Sequence, residues 1–176
     1  MNRALIPLIL LLLFFIEPIF TLFSPFRVSD EFFIIVPRFV LIFLMMIAIY
    51  ADRMHAVLWG FVFGVMHDVF FIDIVGLYAL FFPVAALVAS FTASRFDDRP
   101  IIGTAIGFGI LVAFEVVLYG VFLLIGFTSM PVGEFLVYRL FPTALMNGLL
   151  LFGVAFTLFR SRARERSSKY QVGSFR

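Results

Sequence analysis

The 176-residue chain has no cysteine, so disulfides, thiolate metal sites and a cysteine nucleophile are all excluded. It has two histidines, His55 and His67, too few to suggest a histidine-based metal centre. Charged residues make up only 14% of the chain, less than the surface of an ordinary water-soluble domain requires. The HExxH, GxSxG, P-loop and Rossmann glycine patterns are all missing, so nothing in the sequence supports an enzyme or calls for a cofactor.

What is there is apolar bulk. Hydrophobic residues reach 64% before glycine is counted, against roughly 45–50% with glycine in an average globular domain. The chain contains 27 phenylalanines, more bulk than one small core can hide from water, so lipid is the expected solvent. Disorder is excluded by the same composition. A helix needs about 20 mainly apolar residues to cross about 30 Å of hydrocarbon. Six stretches qualify as candidates: 4–23, 32–50, 56–72, 74–91, 101–127 and 135–159. The expected fold is therefore an all-α integral membrane protein, a six-span transmembrane domain over 1–159 followed by a basic tail over 160–176. Only Asp73 separates the third and fourth spans, which leaves a re-entrant or tightly kinked hairpin open there. The first run carries Glu17 and Pro18 and has no small-residue cleavage site, so it reads as a span and not as a leader.

Basic residues give an orientation, because cytoplasmic segments carry the Lys/Arg excess. Ten of the thirteen fall on one side: Arg3, Arg53, Arg95, Arg99 and six in the tail from Arg160 to Arg176. Arg27, Arg38 and Arg139 fall on the other. Both ends are therefore expected to be cytoplasmic. The tail reads as a topology anchor for anionic lipid, worth about 1 kcal/mol per basic residue, or as a contact for a cytosolic protein. Nucleic acid is not an expected partner.

Ionisable groups at membrane depth are costly unless paired, so each is a functional candidate. Counted at 1.5 Å per helical residue from the outer ends, Glu17 and Arg38 lie about 9 Å deep, and Asp68 and Arg139 about 6 Å. The four are expected to converge on one outward-facing polar pocket; the competing use of Arg38 and Arg139 is snorkelling to headgroups. Glu115 comes out about 16 Å deep, near the midplane, with no base at its level. It is expected to be protonated or hydrogen-bonded to a group such as Asn147.

Ala56, Gly60, Gly64 and Asp68 recur at intervals of four, along one face of a helix, and Gly103 and Gly107 repeat the device in the fifth span. Faces of this kind let helix backbones approach closely in lipid, either inside the bundle or against a partner's transmembrane helix. Pro37, Pro83 and Pro142 fall within spans and introduce kinks.

The stretch GFVFGVMHDVFFIDIVGLYAL, Gly60 to Leu80, resembles the glycine, glycine, aspartate, Gly-Leu pattern of the bacterial rod shape-determining MreD family. The matching positions are Gly60, Gly64, Asp68, Gly76 and Leu77, with Arg38 after Pro37 as a weaker match. The length, the six spans and the short basic tail are similar to MreD proteins of Gram-positive type. This resemblance implies a six-helix fold like that of the S components of energy-coupling-factor transporters. It also implies a non-catalytic scaffold of the cell-elongation machinery, bound to MreC and working with MreB, a SEDS-type glycosyltransferase and a class B penicillin-binding protein. The alternative it leaves open is a substrate-binding membrane subunit of a vitamin or metabolite transporter.

Overall fold

The computed structural model describes residues 5–23, 26–28, 31–93 and 100–173. Arg3, Arg95, Arg99 and Arg176, used above for orientation, lie outside the described residues. The described chain is helical apart from one short hairpin, its continuation and the turns that join the helices. α1 is Leu5–Phe23, α2 Phe39–Tyr50, α3 Arg53–His67, α4 Leu77–Ala93 and α5 Pro100–Leu124. α6 covers 132–173: a first turn Val132–Glu134, a π-helical stretch Phe135–Leu140 and the long helix Phe141–Gly173. The backbone stays helical past position 159, where the tail was expected to begin.

Four helical segments are long and apolar enough to cross a membrane: Leu5–Phe23, Arg53–Ile72, Ile102–Leu124 and Val132–Thr157. α2 and α4 are shorter. α2 is the central helix. Eight of its twelve residues, Val40, Leu41, Ile42, Leu44, Met45, Met46, Ile47 and Ala48, are buried, as expected for a helix apolar all round and enclosed by others. α1 presents one stripe inward, Ile6, Leu10, Phe14 and Glu17, while Leu8, Leu12, Phe15 and Ile19 face outward. That outward apolar surface suits lipid and not water.

The second span departs from expectation. Helix was expected over 32–50, but the chain is extended up to Arg38 and coils only from Phe39. Strands β1 (Phe26–Val28) and β2 (Glu31–Phe33) form an antiparallel hairpin, and 34–38 continues as irregular extended backbone. The local cause is the run Ile34-Ile35-Val36-Pro37: β-branched side chains favour extended backbone, and the residue before proline is pushed out of the helical region. Twelve helical residues rise about 18 Å, and five extended residues add about 16 Å. Their combined length matches the roughly 30 Å of a bilayer core, which α2 alone does not reach.

α3 starts at Asp52, whose side chain accepts from the backbone N–H groups of Met54 (2.8 Å) and His55 (3.3 Å), an N-cap. It widens into a π-helical turn over Asp68–Ile72 and stops at Asp73, which has a left-handed backbone (φ 58°). Gly76 takes φ 110°, open to glycine alone without strain, and α4 begins at the next residue. The third and fourth spans are thus a tight helical hairpin. Its two arms pack along the glycine face: a Cβ on Gly64 would lie 2.4 Å from the Tyr78 carbonyl oxygen, and one on Gly60 3.2 Å from the Pro83 nitrogen. Ala56 is fully buried on the same face.

Candidate functional site: a buried polar cluster

Five polar side chains from five parts of the chain meet in the interior. They are Glu17 of α1, Arg38 at the foot of α2, His67 of α3, Tyr78 of α4 and Glu115 of α5, none more than 4% exposed. Arg38 is the hub. Its Nε donates to Glu115 Oε1, and its Nη1 donates to the Tyr78 hydroxyl at 3.0 Å and lies 3.8 Å from Glu17 Oε1. The guanidinium carbon also lies 5.2 Å from the Phe114 ring centroid, within cation–π range. Glu17 Oε2 accepts the Val40 N–H at 3.2 Å, one of the donors that the start of α2 leaves unpaired. His67 stacks on Tyr78 at 5.4 Å and stands edge-on to Phe14 and Phe82. Its Nδ1 is 3.1 Å from the Phe63 carbonyl and its Nε2 is 3.5 Å from Glu17 Oε1.

The extended segment reaches the cluster because α6 satisfies its backbone. Thr143 Oγ1 accepts the Val36 N–H at 3.1 Å and donates to the Ile34 carbonyl at 3.3 Å. One turn on, Asn147 Nδ2 donates to the Val36 carbonyl at 3.0 Å and its Oδ1 accepts the Arg38 N–H at 2.9 Å. Ile34 N–H donates to the Tyr138 carbonyl at 2.9 Å. Non-helical backbone at membrane depth survives only where protein replaces water in this way, and Pro37 has no N–H to satisfy.

Of the four charges expected to converge, Glu17 and Arg38 are brought together, while Asp68 and Arg139 are not. Asp68, fully buried, turns both carboxylate oxygens onto the start of α4 and accepts from the N–H groups of Gly76 (2.8 Å), Tyr78 (2.7 Å) and Ala79 (3.1 Å). Its partner is backbone and not a base. Arg139 is half-buried in the π-helical stretch of α6, and its Nε makes no hydrogen bond among the described residues. Glu115 was expected to lack a base at its depth, yet it meets Arg38, and Asn147 holds the backbone of Arg38 instead of Glu115. An extended chain advances about 3.3 Å per residue, more than twice the helical rise used to place Arg38, and so carries it far deeper. Gly107 is buried, a Cβ there falling 3.1 Å from the Leu151 side chain, whereas Gly103 has nothing within 4 Å. Leu77 is half-buried at the first residue of α4.

A pocket of about 470 Å³ opens beside the cluster, lined by Glu17, Arg38, His67 and Tyr78 and by Pro18, Thr21, Leu22, Val36, Phe71 and Ile72.

A family model for the rod shape-determining protein MreD matches residues 2–160. The chain belongs to the MreD family. The rod shape-determining protein MreD of Bacillus subtilis (strain 168) is 28% identical over 163 residues, covering 90% of this chain and 94% of that protein. No solved structure matches the chain. MreD proteins are a shape-determining family and not a known family of enzymes, and membership supports a role in rod shape determination. Together with the four spanning helices it makes the chain a multi-pass membrane protein.

Proposed function

We propose that this MreD-family chain is a non-catalytic membrane scaffold of the cell-elongation machinery. It binds MreC and, through a larger complex with MreB, a SEDS-type glycosyltransferase and a class B penicillin-binding protein, helps to direct lateral peptidoglycan synthesis. The carrying observation is the family match across residues 2–160, which leaves little of the chain outside it. The buried cluster supports a scaffold's requirement: one guanidinium ties α1, α4 and α5 to the foot of α2, fixing the relative positions of faces that partners would read. Six membrane crossings with both ends cytoplasmic fit the uneven distribution of basic residues.

The test is affinity purification of the tagged chain from its native membrane in mild detergent, with mass spectrometry of everything that accompanies it. MreC or a cell-wall synthase at near-stoichiometric level is the expected result, and depletion should round or swell a rod-shaped cell. The pocket favours one second reading, a substrate-binding transport subunit with the fold of an energy-coupling-factor S component. ATPase subunits or a stoichiometric metabolite in the same purification would replace the scaffold with that reading.

A further inference from the structure

Among the described residues, the polar groups of the pocket are incompletely matched. Glu17 commits Oε2 to the Val40 N–H, but its Oε1 is 3.5 Å from His67 Nε2 and 3.8 Å from Arg38 Nη1. Both distances exceed the roughly 2.7–3.2 Å of an N–H···O hydrogen bond. His67 Nδ1 lies against the Phe63 carbonyl. A carbonyl can only accept, so Nδ1 carries a proton. Glu17 Oε1, an acceptor on a residue only 4% exposed, stands beside the pocket with no donor at hydrogen-bond distance among the described residues. An added N–H donor would complete it. Charge points the same way, because two carboxylates, Glu17 and Glu115, share the single guanidinium of Arg38. Phe71 also lines the pocket, an aromatic ring of the kind that attracts a cation.

The remaining walls say what kind of molecule bears that cation. Pro18, Leu22, Val36 and Ile72 are apolar, and Thr21, Leu22, Phe71 and Ile72 belong to the last turns of α1 and of the π-helical extension of α3. The mouth thus lies at the ends of membrane-spanning helices, where hydrocarbon gives way to headgroups. The volume of about 470 Å³ is within the roughly 300–1,000 Å³ of small-ligand sites. We propose that this pocket binds the primary ammonium of an aminophospholipid of the phosphatidylethanolamine type, the ammonium donating to Glu17 Oε1 while the acyl chains lie against the apolar wall. The proposal stands independently of the scaffold reading, since it rests on the pocket alone.

The test is native mass spectrometry of the full chain in mild detergent with an equimolar mixture of phosphatidylethanolamine, phosphatidylcholine and phosphatidylglycerol of identical acyl chains. Phosphatidylethanolamine adducts should exceed each of the others by about tenfold, the order of one charge-assisted hydrogen bond. Glu17→Gln should lower that preference. Thr21→Phe, which fills the wall one turn from Glu17 without touching the buried ion pairs, should abolish it with elution profile and thermal unfolding unchanged. Equal adducts of phosphatidylcholine overturn the proposal, because a quaternary ammonium has no N–H to donate. Equal or preferential phosphatidylglycerol overturns it as well, and so does a preference that survives Thr21→Phe. Displacement of the lipid by millimolar glycerophosphoethanolamine overturns the lipid as occupant and leaves a soluble amine in its place.

Discussion

Arg38 and Glu115, 77 residues apart in sequence, form an ion pair in the middle of the helix bundle, each 3% exposed. Removing one member leaves an uncompensated buried group, which costs about 3–5 kcal/mol. Glu115→Ala is therefore expected to lower stability steeply in detergent unfolding assays. Replacing both members with apolar residues, Arg38→Met with Glu115→Leu, should cost less than the two single changes added together. Strict additivity would show that the pair is not the coupled unit described here.

Asn147 and Thr143 together satisfy four backbone groups of the extended segment 34–38. Asn147→Leu strands the Arg38 N–H and the Val36 carbonyl in the interior, at about 1–3 kcal/mol each. The segment should become locally labile, with hydrogen exchange at Val36 and Arg38 rising well before global unfolding. Unchanged protection at those two amides in the variant would mean that water or another group already serves them.

Parts of this site could be read from the sequence, for physical reasons that can be named. Glycines four apart fall on one helix face whatever surrounds them, so the Gly60–Gly64 face could be recognised before its partner, α4, was known. Hydropathy measures composition and not backbone conformation. The stretch 32–50 is apolar throughout and read as one helix, although Ile34-Ile35-Val36-Pro37 carried the signal for extended chain. From that single misreading followed the misplaced depth of Arg38 and the apparent isolation of Glu115. Thr143 and Asn147, polar and one turn apart in an apolar helix, signalled that some backbone needed partners, but not which backbone. Asp68 was legible as a buried acid; that its partners are three N–H groups depended on the Asp73–Gly76 turn folding back onto it.

The glycines on the two candidate faces supply a graded test. Gly64→Ala puts a Cβ 2.4 Å from the Tyr78 carbonyl oxygen, backbone that cannot swing aside, so α3 and α4 must separate at a cost of about 1–3 kcal/mol or more. Gly60→Ala, with its nearest contact at 3.2 Å, should be milder. Gly103→Ala meets nothing within 4 Å and should be neutral or stabilising by about 0.5–1 kcal/mol through helix propensity. Melting temperatures of the three variants in one detergent check the order. Loss of MreC co-purification in a stably folded Gly103→Ala would instead mark that face as a partner contact.

Asp68 offers a direct contrast between capping and charge pairing. As the cap of α4 it needs acceptor oxygens rather than a nearby base, so Asp68→Asn, which keeps one carbonyl oxygen, should be less damaging than Asp68→Ala, which leaves three N–H groups unserved. The expected gap is about 1–3 kcal/mol, the worth of one hydrogen bond to a charged group or one stranded donor. Exchanging the charges, Asp68→Arg with Arg139→Asp, should not restore stability, because an arginine at position 68 offers donors to donors. Rescue by that swap would mean that the two residues are ion-paired in the membrane and that the hairpin is held by charge instead of by its own backbone.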